Sequence, residues 1–218
     1  LCGEFATDHT MASGTLVYDI TEQKWSRDIM NNLGLDANKL PDIKWGGTAL
    51  GFIKNEVACE IGLGENVTVV VGGQDQKCAA LGAGIADGIA TVSLGTATAV
   101  TIKWDYPVID PEMRIPCFSY LIKNKWVTEG VIGTSCASLK WLKQTLFPDT
   151  SYEGLDFMVE CASEKTGDLF FYPHLAGTSS PNWYENSKGV FYGISLSTGS
   201  DEIVKSVFEG VAYQIREN

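Results

Sequence analysis

The segment that most constrains this chain is Val67-Thr68-Val69-Val70-Val71, which breaks at Gly72-Gly73 and passes, after Gln74-Asp75, into a helical pattern marked by Cys78, Ala79, Leu81 and Ala83. A nearly continuous β-branched run reads as a strand buried on both faces, and such strands sit in sheets covered by helices. At this turn the chain leaves a buried strand and enters a helix. It also delivers Asp75 to a strand end beside a helix N-terminus, where the helix dipole favours an ionised carboxylate.

The rest of the chain alternates in the same way. Thr15 to Ile20 reads as a short strand, and Ser26 can cap a helix carrying Ile29, Met30 and Leu33 that Gly34 stops. Pro41 and Gly46-Gly47 mark a loop, and a helix near Asn55 to Ile61 puts Val57, Ala58 and Ile61 on one face. Ile89 to Trp104 forms two β runs around Gly95-Thr96, and Phe118 to Ile122 with Trp126 to Ile132 predicts a second hairpin. From Gly133 the period becomes helical, with Cys136, Leu139, Leu142 and Leu146 on one stripe and Pro148 beyond the end; a further helix covers Tyr152 to Ser163. Leu169 to Tyr172 resumes a strand, and Pro173 to Lys188 is a long polar loop bearing Trp183. The last helix begins near Ser200, and its pattern predicts burial of Ile203, Val204, Val207, Phe208, Val211, Ala212 and Ile215.

Two glycine turns can carry chemistry. At Gly72-Gly73-Gln74-Asp75-Gln76 the Asp75 carboxylate can accept a proton from a hydroxyl, a role that phosphoryl transfer asks of a well-placed side chain. Taken by itself, a Gly-Gly-x-Asp turn more often makes this residue a plain helix N-cap. At Ser93-Leu94-Gly95-Thr96-Ala97-Thr98 a tight turn can bring backbone N–H groups and the Thr96 hydroxyl to an anion. Gly-Thr turns also occur in hairpins that bind nothing. The glycines Gly82, Gly84 and Gly88 follow a helical stretch and have GxGxxxG spacing, which argues against a dinucleotide-binding turn. A GxxxxGK[ST] loop does not occur.

Charge and cysteine usage narrow the function classes. The formal net charge of -11 over 218 residues repels phosphate backbones and anionic membranes, so nucleic acid and membrane are not expected partners. A local cradle of backbone N–H groups can still hold a nucleotide against that field. Cys2, Cys59, Cys78, Cys117, Cys136 and Cys161 are widely spaced, which predicts reduced and mostly buried thiols in a cytoplasmic protein. His9 and His174 have no ligand-spaced companions, and no metal ligand is assigned. Asn66-Val67-Thr68 fits the glycosylation sequon, but no secretion signal accompanies it.

Several blocks together carry a resemblance. Gly189-Val190-Phe191-Tyr192-Gly193-Ile194, then seven residues, then Glu202 to Gly210, resembles the C-terminal signature of the FGGY carbohydrate kinases. Thr7-Asp8-His9-Thr10-Met11-Ala12-Ser13-Gly14-Thr15 is similar to the TDxSNASGT stretch of that family, Gly72 to Asp75 to its GGGD turn, and Ser93 to Thr96 to its SLGTS turn. The resemblance is closest to the xylulokinase-like members. It implies an α/β, actin-like and hexokinase-like (ribonuclease H-like) ATPase fold, with ATP and sugar meeting between two domains. Residues 1–87 would be the C-terminal part of the first domain and 88–218 the N-terminal part of the second, so the chain reads as an internal piece of a longer protein that is inactive by itself.

The roles implied are specific. Asp75 would be the general base, Asp75 and Gln76 would contact the substrate, and Gly95 and Thr96 would contact the phosphates of ATP, with Mg2+ as the accompanying ion. The implied reaction moves the γ-phosphate of ATP to a hydroxyl of a ketose such as xylulose. The alternative is an actin-like module that binds sugar or nucleotide without turnover. A homodimer is compatible with the sequence. Met11 stands where the family usually has Asn, Ala176 to Pro181 replaces the common SGERTP, and Gln76-Lys77 follows the aspartate where xylulokinases have Asn, so another ketose or a polyol remains an open substrate.

Overall fold

The computed structural model describes residues 1–64, 66–162 and 168–218. In chain order the elements are β1 (Ala6–Asp8), α1 (His9–Ser13), β2 (Tyr18–Asp19), β3 (Lys24–Trp25), α2 (Arg27–Leu33), β4 (Asp42–Lys44), β5 (Ala49–Phe52), α3 (Asn55–Glu60), β6 (Thr68–Val70) and α4 (Asp75–Gly82). They continue as β7 (Ala90–Leu94), β8 (Thr98–Trp104), β9 (Cys117–Ser119), β10 (Trp126–Ile132), α5 (Cys136–Leu146), α6 (Tyr152–Cys161), β11 (Phe170–Tyr172), β12 (Val190–Tyr192) and α7 (Ser200–Glu217). A single 3-10 turn spans Ala37–Lys39.

The chain divides into two compact units. The first comprises Leu1–Thr91, Thr101–Pro111 and Pro116–Glu129; the second comprises Val92–Val100, Glu112–Ile115 and Gly130–Asn218. Strands β7, β8 and β10 each pass from one unit to the other along their length, and with β9 they form a four-stranded sheet in the order β7-β8-β10-β9. The two predicted hairpins are therefore both present, the second with Trp126 opposite Ser119 and Thr128 opposite Cys117.

In the first unit, β1 pairs in parallel with β4, a strand hidden in the sequence because Asp42-Ile43-Lys44 is too short to show a period. Helix α2 starts and stops as its residues dictate. Ser26 accepts a bond from the Ile29 N–H, and Gly34 takes the left-handed conformation at φ 65°. The β-branched run overturns one expectation. Strand β6 pairs antiparallel with β5 in a two-stranded sheet, and Val70 is 52% exposed, since among the described residues no further strand pairs with it. The core of this unit lies instead around Ala80, Ile85, Tyr120 and Val127, with Phe118 and Leu121 packed at its margin.

The second unit is organised by α7, which packs against β11, α6 and α5. Its core is Leu142, Leu155, Phe171, Val204 and Val207. The predicted stripe of α7 holds at Val204, Val207 and Val211, but Ala212 is exposed while Ser206 and Gly210 are buried. Gly210 is buried because a Cβ there would meet the Phe171 carbonyl oxygen at 2.2 Å, so the helix lies directly on the backbone of β11. Hydrophobicity scales rank alanine above serine, yet here close backbone approach decides the face. The cysteines depart from expectation as well. All six are free, but Cys59, Cys78 and Cys161 are exposed and the others are half-buried.

Candidate active site

Asp75 is the first residue of α4, and it does not cap the helix. That position belongs to Gln74, whose Oε1 accepts from the Lys77 N–H at 3.1 Å. The capping alternative for Asp75 is thereby removed. Its Oδ1 accepts from the Gln76 N–H at 2.7 Å and from Gln74 Nε2 at 2.8 Å. Among the described residues Oδ2 accepts nothing, and the side chain is exposed. One oxygen is thus held in place while the other is unengaged. Beside it, Gln76 Oε1 is buried without a hydrogen-bond partner, an unsatisfied acceptor of the kind a ligand's hydroxyl fills.

The turn is held from its N-terminal side by α1. Asp8 caps that helix through bonds from the Thr10 N–H at 2.7 Å and the Met11 N–H at 3.2 Å, and also accepts from the Thr10 hydroxyl. Thr10 Oγ1 in turn accepts from the Gln74 N–H at 2.8 Å. The block Thr7 to Thr15, noticed in the sequence as a pattern, therefore acts as a buttress for the aspartate turn. His9 is buried on the same helix, stacked on Trp45 with ring centroids 3.6 Å apart. Its Nδ1 is 2.7 Å from the Tyr18 hydroxyl, which is 2.9 Å from Ser119 Oγ. Burial lowers the His9 pKa from 6.5 against an opposing pull from Asp8, and raises the Tyr18 hydroxyl to about 12. Both histidines therefore have ordinary structural settings, His174 being half-buried with its pKa also lowered by desolvation.

The glycines before Asp75 are not equivalent. A Cβ on Gly73 would meet Leu121 Cδ2 at 2.2 Å, whereas one on Gly72 would meet nothing within 4 Å. Gly73 is the position where the turn passes close to its neighbour. On the C-terminal side, Lys77 is 3% exposed, with Nζ 2.7 Å from Glu129 Oε2 and 4.1 Å from the centre of the Phe118 ring. Sequence reasoning missed this pair. A lone lysine in a small-residue helix carries no signal of burial, and its partner lies 52 residues away.

Gly95 and Thr96 form the turn between β7 and β8 and belong to the second unit, whereas Asp75 and Gln76 belong to the first. Both turn residues are exposed. The Gly95 N–H is committed to the Ala97 carbonyl at 3.1 Å. The Gly95 and Thr96 carbonyls accept from the Cys136 and Ala137 N–H groups at 3.2 and 3.3 Å, so the turn caps the start of α5. Ser135 reinforces it, donating to the Gly95 carbonyl at 3.1 Å while accepting from the Thr98 hydroxyl at 2.7 Å. This leaves the Thr96 hydroxyl, which has no partner among the described residues, as the group able to meet an anion. The loop after β11 contains a cis Ser180-Pro181 bond, and the half-exposed Trp183 donates its indole N–H to the Arg114 carbonyl at 2.7 Å.

A carboxylate with one free oxygen on a helix start, and a Gly-Thr turn seated on a second helix start, are the parts expected of a phosphotransferase built on an α/β frame. Residues 1–82 match the model of the FGGY family of carbohydrate kinases, N-terminal domain, and residues 90–218 match its C-terminal domain. The chain belongs to the FGGY family of carbohydrate kinases. It is similar to the xylulose kinase of Bacillus subtilis (strain 168), 29% identical over all of this chain and 44% of that relative. Among solved structures it superimposes on the ligand-bound xylulose kinase from Lactobacillus acidophilus at TM-score 0.93 and 25% identity, covering all of this chain and 44% of that one. It also matches the Plasmodium falciparum glycerol kinase with ADP at TM-score 0.87 and 26% identity, over 99% of this chain and 43% of that one. The fold is accordingly the actin-like, hexokinase-like ATPase fold of these kinases, and the chain spans somewhat under half the length of the relatives it matches.

Proposed function

We propose that the protein to which this chain belongs is an ATP-dependent sugar kinase with Asp75 as its general base, acting on a ketose of the xylulose type. The observation that carries the reading is the Asp75 carboxylate, exposed on the first turn of α4, with Oδ1 fixed by two donors and Oδ2 unengaged. Oδ2 accepts the proton of the sugar hydroxyl as the oxygen becomes a nucleophile. Gln76, with its unpartnered buried Oε1, accepts a second hydroxyl of the same sugar and so orients it. The substrate class is supported by the relatives, which are named xylulose kinases at 27–30% identity.

ATP, carried with Mg2+, would supply the phosphoryl group. The residues present fit that donor at one point. Thr96 offers an exposed, unpartnered hydroxyl to a phosphate oxygen, and Gly95, where a Cβ would lie 3.2 Å from the Ala97 carbonyl oxygen, keeps the turn tight. As part of the same proposal, residues 1–87 and 88–218 belong to the two domains of the whole enzyme, with the family matches on either side of that division as support. In the same proposal the enzyme works in the cytoplasm on small molecules, not on nucleic acid or membrane, with the formal net charge of -11 as support.

The test is Asp75→Asn in the full-length protein, assayed by ADP release with xylulose. The amide keeps both Oδ1 bonds but cannot take the proton, so turnover falls by about 10²–10⁴-fold while sugar affinity is kept. Near-normal turnover would remove Asp75 from the chemistry. Unchanged sugar and nucleotide binding without any turnover in the parent protein would favour the non-catalytic binding module instead.

A further inference from the structure

We propose that the buried Lys77–Glu129 ion pair is the positioning device that aims the Asp75 carboxylate, an inference that rests on the reading of Asp75 as the base. Helix α4 has little else to hold it. Its only buried residues are Lys77 and Ala80, while Asp75, Cys78, Ala79, Leu81 and Gly82 are exposed. An alanine methyl group resists neither rotation nor sliding of a helix. The one long side chain anchored from α4 into the unit is Lys77, and it ends on Glu129 of β10 at 2.7 Å, with the Phe118 ring against its ammonium.

Stability alone does not account for such a pair. Replacing a buried ion pair by apolar groups of similar volume is often neutral or stabilising, because desolvation offsets the Coulombic gain. What apolar contact lacks is direction. A charge-assisted hydrogen bond sets both distance and angle, and so fixes the rotation of α4 about its axis. Residues two apart on a helix lie about 200° around that axis, so drawing Lys77 inward turns Asp75 outward. From the other side Gln74 is tied to Thr10 through its N–H and caps the Lys77 N–H through Oε1. The base is thus clamped on both sides of one turn, and Lys77 supplies the side that the aspartate turn itself lacks.

The experiment compares, in the full-length protein, Lys77→Met/Glu129→Met with the single variant Lys77→Met and with Asp75→Asn. The double variant leaves no unpaired charge, so it folds with a melting temperature close to that of the parent. Its turnover with xylulose falls by about 10–100-fold, since misplacing a reacting group by around 1 Å costs about that much. The KM for ATP stays within about threefold, because the defect lies on the acceptor side. The reverse pair, Lys77→Glu/Glu129→Lys, restores part of the lost turnover. Parent-like turnover in the folded double variant would overturn the proposal, and so would a loss confined to thermal stability. Loss of turnover in Asp75→Asn alongside normal turnover in the double variant would sink only the positioning role. Normal turnover in Asp75→Asn would sink the reading beneath it.

Discussion

Replacing Gly73 by alanine tests how closely the aspartate turn is packed. The backbone at Gly73 does not have the positive φ that would itself bar a side chain, so the cost is steric and can be worked from the contacts. The new Cβ would sit 2.2 Å from Leu121 Cδ2 and 3.4 Å from both Leu121 Cγ and Cys78 Sγ. Leu121 must therefore rotate or shift by more than 1 Å, and it packs on the cluster of Ala80, Ile85, Tyr120 and Val127. Overpacking of this kind costs about 1–3 kcal/mol, which lowers the melting temperature by roughly 3–10 °C at this chain length. Gly72→Ala is the internal control. Nothing lies within 4 Å of its Cβ position, so it is neutral or stabilises by about 0.4–1 kcal/mol through the unfolded state. Thermal unfolding of the two single variants and of Gly73→Ala/Leu121→Ala decides the matter. The smaller residue 121 makes room for the Cβ, so the double variant loses less than the sum of its singles. Equal responses at the two glycines, or strict additivity in the double variant, would refute the packing argument.

Leu142→Ala, at a fully buried position in the core of the second unit, should cost about 2–5 kcal/mol and appear as a lower denaturant midpoint with little change in slope. The pH dependence of stability should carry a histidine component of definite sign. Both His9 and His174 have pKa values lowered from 6.5 by burial, so below that value the unfolded chain takes up protons that the folded chain refuses. Their contribution is fully present above about pH 6.5 and declines as the pH falls toward the folded-state values. Melting temperatures at pH 7.5 and 5.5 should therefore differ less in His9→Gln than in the parent, and an unchanged difference would mean that the His9 setting is not linked to folding.

Local structure was readable wherever it is decided by neighbours in the chain. Ser26 and Gly34 bound α2, the turn at Gly95-Thr96 separates β7 from β8, and the strand Phe170–Tyr172 and the helix Ser200–Glu217 fall where their periods put them. What escaped is decided at a distance. The run around Val70 has the composition of a doubly covered strand, but cover is a property of what packs on it, and among the described residues only β5 pairs with it. The cap of α4 is the exception, a local choice: Asp75 and Gln74 compete for it, and the longer side chain wins by reaching forward to the Lys77 N–H while the carboxylate takes its bonds from Gln74 and Gln76. Lys77 itself is placed by Glu129, which no local rule could pair with it.

The residues that make the family recognisable are mostly not the ones placed to do chemistry. In the C-terminal signature, Glu202 accepts from the Gly199 N–H at the start of α7, and Gly210 admits the Phe171 carbonyl. Gly193, at φ 93°, leaves space where a Cβ would lie 1.9 Å from the Asp168 carbonyl oxygen. Each is a constraint on backbone approach, with few side chains able to meet it, and that explains why such a pattern can be recognised when overall identity is low. The groups facing a ligand are under a different constraint, since a change of sugar asks only for a different set of donors and acceptors. Gln76 and Lys77 follow Asp75 where xylulokinases carry Asn after the aspartate, and these are the positions where the present structure shows an unpartnered acceptor and a buried anchor. Departure from the family pattern thus falls on the turn that presents Asp75, the proposed base, as well as on Met11 and on the stretch from Ala176 to Pro181. Under the proposed function, substrate choice is to be sought at those three places, the first turn of α4 among them, with the signature helix left as scaffold.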